Sequence, residues 1–357
     1  MGNHFYWKKM AKTVNYDENG IPDGAPTYLF DQAEKYRENP ALAGLEWFRE
    51  AHFGLSLRFG LYSLIGKHED VRKLEPWPEQ DYVQLPKRFT CARFDAMEIV
   101  QLAIAAGARY VLMPARYRDG FCLYNSHLSD FNSVASAANR DLVGEMASVC
   151  EYHGIGLCLE YSLGHDWQQY AGGLPQKDEE ALLYQRFVAG QLRELLIQYG
   201  PVAAIRFEGL ESIREWGSDT IDCQSLYDLV HDLQAQCLVS FAQGILGSED
   251  YFAVEQEIPP QEAAENKKGF IYQDLSKPLE LRLSLTPGSL GYCAEQAGKH
   301  LCQEEVWQTF AQTYQQDANF LLNTALMPDG SLDLEDIQTL LAIGERLEKE
   351  GYPGRIS

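Results

Sequence analysis

The sequence is short of positive charge: 30 Lys and Arg stand against 52 Asp and Glu, a formal balance of -22 over 357 residues. That deficit excludes a polyanionic partner, because nucleic acids and anionic membrane surfaces are held by clustered cations. Any basic site must be small and local. Long apolar runs are missing too. Met1 to Met10 carries His4, Lys8 and Lys9 among aromatic residues, without the unbroken apolar stretch of a signal peptide or membrane helix. Neither export nor membrane insertion is expected, and the chain reads as cytoplasmic. Only 8 histidines occur; they are scattered, with no HExxH or comparable spacing, and there is no Gly-rich phosphate loop, so no metal and no cofactor is predicted. The cysteines at 91, 122, 150, 158, 223, 237, 293 and 302 form no CxxC pair and no dense cluster. They read as reduced and mostly buried, with Cys158 and Cys237 inside apolar runs where a thiol acts as a small hydrophobe.

What is present is ordinary globular usage, 45% hydrophobic and 23% charged, in a length that one closed α/β barrel can fill. Short apolar runs that read as buried parallel strands alternate with helical segments. The strands are expected at His52 to Phe59, Arg109 to Pro114, Ile155 to Tyr161, Val202 to Glu208, Cys237 to Phe241, Gly269 to Gln273, Leu281 to Leu285 and Asn319 to Asn323. Val188, Leu192, Leu195 and Tyr199 recur at helical spacing up to Gly200-Pro201, and Ile99 to Ala106 stops at Gly107. Asn139-Arg140-Asp141 opens a helix that Gly154 ends, and Asp333 to Glu350 forms the last one. The expected fold is a single-domain (β/α)8 barrel of the TIM type over residues 41–357. Residues 1–40, with Gly20, Pro22, Gly24 and Pro26, read as an extended arm.

In such barrels the chemistry gathers at the carboxyl ends of the strands, and here those ends are polar. Arg58 closes the first, Arg116-Tyr117-Arg118-Asp119-Gly120 follows the second, Glu160-Tyr161 ends the third and Arg206-Phe207-Glu208-Gly209 the fourth. Side chains alternate along a strand, so Arg206 and Glu208 share a face and can enter the barrel top together. After the fifth strand, Ser248 to Gln256 reads as a loop that brings Glu255 back over the mouth. Two carboxylates are the equipment of glycoside hydrolysis, one attacking the anomeric carbon or activating water while the other protonates the leaving oxygen.

From about Glu46 to the last helix the sequence resembles the α-L-fucosidases of retaining mechanism. Glu46-Trp47-Phe48-Arg49 with Phe53-Gly54, Gly60-Leu61-Tyr62-Ser63, Asp119-Gly120-Phe121, Asn132-Ser133, Arg140-Asp141-Leu142-Val143, Tyr161-Ser162, Asp166-Trp167, Asn319 to Asn323 and Pro328-Asp329-Gly330 follow one another as in that family. The resemblance implies a catalytic barrel, here without the C-terminal β-sandwich that many members carry, with Glu208 at the nucleophile position and Glu255 at the acid/base position. It also implies that Arg58, Tyr117, Arg118, Tyr161 and Arg206 line the former sugar pocket. The family's His-Trp-Gly is Arg58-Phe59-Gly60 here, its Lys-His-His is Arg116-Tyr117-Arg118, and the Trp before its nucleophile is Arg206.

Three arginines in one pocket point to an anion, since a guanidinium matches a carboxylate, phosphate or sulfate in bidentate fashion. The sequence therefore reads as a divergent glycoside hydrolase for an acidic or otherwise non-fucose sugar, and so as a protein of carbohydrate metabolism. The competing reading is a catalytically silent barrel that binds a carbohydrate or a partner protein through the same mouth. A third possibility is a fucosidase with unusual contacts, and against the anion reading stands internal pairing of the arginines with Asp119, Glu160, Glu208 and Glu255.

Overall fold

Eight strands form one sheet in the computed structural model, which describes residues 24–353 apart from 76, 171–173, 176, 210–211, 214–220, 243, 257 and 259–275. They are β1 (Phe53–Arg58), β2 (Tyr110–Arg116), β3 (Gly156–Ser162), β4 (Ala204–Glu208), β5 (Leu238–Phe241), β6 (Phe252–Glu255), β7 (Leu279–Ser284) and β8 (Ala318–Ala325). The order is β5-β4-β3-β2-β1-β8-β7-β6, with every described ladder parallel. The sheet curls into a (β/α)8 barrel that is nearly closed. At the seam, β5 and β6 share no ladder; the chain there is joined by the Asp250 N–H donating to the Val239 carbonyl at 2.8 Å and that of Ala253 to Ala242 at 2.9 Å.

The strands are short apolar runs because both their faces are covered. The outer face packs against helices that side-chain caps begin: Asp95 caps α2 (Ala96–Ala105), Asp141 caps α3 (Leu142–His153), Asp222 caps α5 (Cys223–Leu233) and Asp333 caps α7 (Leu334–Glu350). The longest helix, α4 (Asp178–Gln198), lies between β3 and β4, and α6 (Gln303–Gln315) between β7 and β8. Gly344 lets α7 approach α2 closely, since a Cβ there would lie 1.9 Å from the Ala105 carbonyl oxygen. Helix α1 (Pro40–Ala51) closes the amino end of the barrel: Trp47, Phe48 and Ala43 pack on the inward Tyr110, Leu112, Cys158, Ala204, Leu238, Tyr251, Ala253 and Leu321. Phe48 and Tyr251 sit with ring centroids 4.4 Å apart in this apolar floor.

Seven of the expected strands coincide with observed ones within a few residues. The eighth, Gly269 to Gln273, lies outside the described residues. The sixth observed strand is Phe252–Glu255, inside the stretch expected to be a loop; its four residues are too few for a pattern to show, and their pairing with Leu279–Arg282 of β7 decides the matter. Most of the expected arm, residues 1–23, also lies outside the described residues. Its remainder departs from extended chain, with Thr27–Gln32 a 3-10 helix and Ala33–Glu38 a short α-helical turn. Tyr28 is the reason, its ring edge-on to Trp47 at 4.6 Å, so that burial against α1 fixes the segment. Among the described residues no helix is long and apolar enough to cross a membrane.

Candidate active site

Above the apolar floor the barrel interior turns ionic. The alternation that puts Tyr110, Cys158 and Ala204 inward also turns inward Arg58 from β1, Glu160 from β3, Arg206 and Glu208 from β4, Glu255 from β6, and Glu280 and Arg282 from β7. Ladder register sets neighbours: Glu160 lies opposite Arg206, and Glu255 opposite Arg282. Three guanidiniums and four carboxylates therefore meet in one layer.

Their bonding is extensive. Arg58 forms a bidentate pair with Glu160, one arm at 3.2 Å and the other shorter. Arg206 donates to Glu280 and to Glu255, each at 2.6 Å, and its Nε lies 3.4 Å from Glu208. Arg282 is a hub: Nη1 reaches Glu160 at 2.7 Å, Nε reaches Glu255 at 2.9 Å, and Nη2 lies 2.8 Å from Glu255 and 3.3 Å from Glu208. Tyr110 extends up from the floor to donate to Glu280 at 2.8 Å. The three arginines are each 1% exposed, as are Glu160 and Glu280. Such groups cost several kcal/mol per ion to bury, so only this dense mutual pairing makes the layer tenable.

Glu208 and Glu255 differ from the rest. They are the two residues of the eight strands that are not fully buried, their side chains 13% and 42% exposed. Because one Arg282 nitrogen touches both, their nearest oxygens lie within about 6 Å of each other. Burial, and after it the charge of Glu160, push the Glu208 carboxyl up to about 7, against the pull of Arg282, Arg206 and Arg58. Burial would raise Glu160 as well, but Arg58, Arg282 and Arg206 overcome it and hold that carboxyl well below the usual range. Burial raises Glu280 despite Arg206.

Around this floor stands a polar rim. Tyr117 lies over Arg58, the guanidinium carbon 5.0 Å from its ring centroid, and shares Asp70 with Arg118, at 3.2 Å and 2.9 Å respectively. Glu69 accepts from the backbone of Leu290 and Gly291 and from Ser289, tying the loop after β1 to the loop after β7. Burial opposes its charge, while Arg58 and those donors win and lower its pKa. His165 Nε2 lies 2.7 Å from Ser212 Oγ; burial, then Arg118 and Lys73, push its pKa down to about 3, so the ring is neutral. The loops carrying these two residues cross where Gly164 meets Gly209, a contact with no room for a side chain, since a Cβ on Gly164 would fall 2.0 Å from the Gly209 oxygen.

The predicted site residues thus separate. Arg58, Arg206, Glu208 and Glu255 meet in one layer, with Tyr117 on its rim. Arg118 does not join Arg58 and Arg206; it is drawn to Asp70, and Arg282 takes the third cationic place. Tyr161 leaves the pocket altogether: it neighbours inward-facing Glu160, so alternation turns it outward, where its hydroxyl donates to Gln191 of α4 at 2.7 Å. Arg116 is likewise buried apart, against Asp166 and the Ser162 carbonyl. Glu255 reaches the site from the end of β6, not from a loop. Glu280 and Arg282 were missed, although Leu279-Glu280-Leu281-Arg282-Leu283-Ser284 alternates strictly; in a strand covered on both faces, that pattern places charge inside the barrel.

A family model, Alpha-L-fucosidase, matches residues 31–352 of this chain. The chain belongs to the alpha-L-fucosidase family. Alpha-L-fucosidase 1 of Arabidopsis thaliana is 26% identical over 73% of the chain, which spans only 53% of that relative's length. Tissue alpha-L-fucosidase of Rattus norvegicus is also 26% identical, over 85% of the chain and 68% of its own. Among solved structures, alpha-L-fucosidase isoenzyme 1 from Paenibacillus thiaminolyticus superposes with a TM-score of 0.75 at 24% identity, covering 89% of this chain and 80% of that one. Alpha-L-fucosidase AlfC from Lactobacillus casei, in complex with its α-L-fucose product, gives 0.70 at 23% identity, covering 86% and 98%. At these identities the structural likeness is one of fold. This alpha-L-fucosidase family member is a barrel whose mouth presents Glu208 and Glu255 above a layer of buried arginines.

Proposed function

We propose that this barrel is a glycoside hydrolase acting on a neutral sugar other than fucose, with Glu208 as the proton donor and Glu255 as the carboxylate facing the anomeric carbon. The reading rests on one observation: in the described strands the residues that are not buried are two glutamates in contrasting surroundings, and paired carboxyls split in this way divide acid from base. A carboxyl raised to about 7 still carries its proton near neutrality and can protonate a leaving oxygen. Glu255 instead takes its bonds from two guanidiniums. Their spacing, within about 6 Å, falls nearer the retaining geometry than the wider inverting one. This exchanges the roles that the family resemblance implies, because a carboxyl raised to about 7 holds its proton below neutrality and does not attack in that form.

The same geometry argues for a neutral ligand over an acidic one. Arg58, Arg118, Arg206 and Arg282 each already face a carboxylate, so an acidic sugar would have to displace one. The test is a panel of aryl glycosides and natural disaccharides, including α-L-fucosides and uronides. Glu208→Gln should abolish kcat/KM for poor leaving groups while sparing kcat/KM for activated aryl glycosides, whose kcat falls because the same residue activates water in the second step, and Glu255→Gln should abolish both. Equal loss on both substrate types in Glu208→Gln returns the nucleophile to that position; turnover of uronides alone restores the acidic substrate.

A second reading, a silent barrel binding a carbohydrate or a protein, is favoured by the filled ionic floor, which occupies depth where a sugar would otherwise sit. It predicts no turnover anywhere in the panel and a complex that survives Glu208→Gln but not Arg118→Glu. Free thiols at all eight cysteines, six of them buried, are in keeping with a reducing, intracellular setting.

A further inference from the structure

The loops after β7 and β8 carry a second group of ligand-type side chains that the barrel mouth does not use. His300 precedes α6, and Asp333 and Glu335 open α7. Ligand atoms of the three lie within 4.8 Å of one another. The His300 side chain is only 5% exposed and is held in place, its Nδ1 lying 2.6 Å from Asp336. Asp336 is itself fully buried, and its other oxygen accepts from Thr324 of β8 at 2.5 Å. With Nδ1 committed to that carboxylate, Nε2 is the ring atom left to face a ligand, and it has no protein partner among the described residues.

The two acids each spend one oxygen on structure. Asp333 Oδ1 accepts from the Glu335 N–H at 2.9 Å, capping α7, and Glu335 Oε1 accepts from the Gly298 N–H at 2.6 Å. Each keeps a second oxygen for another partner. Capping accounts for the carboxylates but not for a buried imidazole beside them, oriented from behind by a fourth acid outside the group.

We propose that His300, Asp333 and Glu335 form a divalent-cation site of the zinc class, with Asp336 as the outer carboxylate that orients the imidazole. One nitrogen and two carboxylate oxygens suit zinc better than calcium or magnesium, which take oxygen shells. A carboxylate on the far ring nitrogen is the usual support for a ligating histidine. The site shares no residue with the mouth and does not depend on hydrolysis.

The test is calorimetric titration of the whole protein with Zn2+, after chelator treatment and with accessible thiols alkylated so that Cys302 does not compete. One equivalent should bind and raise the thermal midpoint, while Ca2+ and Mg2+ at the same concentration do neither. Asp333→Asn still caps the helix and Glu335→Gln still accepts from Gly298, so neither should lower the midpoint without metal, yet each should weaken Zn2+ at least tenfold. Asp336→Asn should weaken it by about 10–100-fold, as outer-shell changes do. Failure to bind one equivalent overturns the proposal, and so does unchanged affinity in Glu335→Gln. X-ray absorption on the zinc-loaded wild type gives an answer that needs no variant: a nitrogen and oxygen shell with imidazole scattering is expected, and a sulfur shell overturns the site.

Discussion

Replacing Arg282 by methionine removes the hub of the ionic layer while keeping much of its length. The guanidinium makes four close contacts, with Glu160 at 2.7 Å, Glu255 at 2.9 and 2.8 Å, and Glu208 at 3.3 Å. Without it, Arg58 and Arg206 alone face four carboxylates. Glu255 can turn to water, its side chain being 42% exposed, but Glu160, at 2%, cannot. Glu160 keeps Arg58 but loses a charged hydrogen bond that water cannot replace, worth about 1.5–3 kcal/mol. Urea unfolding should show a loss of about that size, with the slope against denaturant unchanged. The double variant Arg282→Met with Glu160→Gln should not recover the loss, since Glu160 is also the bidentate partner of Arg58 and its removal leaves that buried guanidinium without its carboxylate. A loss under about 1 kcal/mol, the worth of a solvated surface pair, would refute the claim that this layer is buried and mutually dependent.

Two further outcomes follow from the same structure. Glu208 has its folded pKa raised to about 7 from an ordinary carboxyl value of 4.5, so it binds more protons folded than unfolded across that interval; its contribution is full below the lower value and is lost as pH climbs through the upper one. Stability measured from pH 4.5 to 7 should therefore fall less in Glu208→Gln than in the wild type, and an identical profile would contradict the raised pKa. Gly344→Ala must push α7 away from the Ala105 carbonyl and should cost about 1–3 kcal/mol by overpacking, read as a lower thermal midpoint with the mouth unchanged.

Much of the barrel could be read from the sequence because its strands are covered on both faces and so stand out as apolar runs. The helices stood out through caps and glycine stops, as Asp141 and Gly154 show for α3. The sixth strand escaped because four residues carry too little periodicity, and its identity comes from pairing with β7. Arg58, Arg206 and Glu208 were legible as charges at strand ends, and Glu255 as a carboxylate returned over the mouth by an expected loop that is the sixth strand. Arg282 and Glu280 were not, because a charged residue in an alternating strand ordinarily means a solvent face, and only closure of the sheet turns that face inward. Arg118 and Tyr161 were misplaced for a related reason: the order of residues after a strand does not say which carboxylate captures a guanidinium, or which side of the wall a ring takes.

The seam between β5 and β6 gives the ionic layer a mechanical meaning. Everywhere else adjacent strands are laced by a ladder; at this one joint two isolated backbone bonds must hold. Arg206, from β4 on one side, reaches Glu255 of β6 on the other, and Arg282 reaches from β7 back to Glu208. These side chains are staples across an open joint. The barrel should therefore breathe along that line first, with amide exchange fastest at Asp250 and Ala253, and each opening would part the two mouth glutamates like the jaws of a clasp.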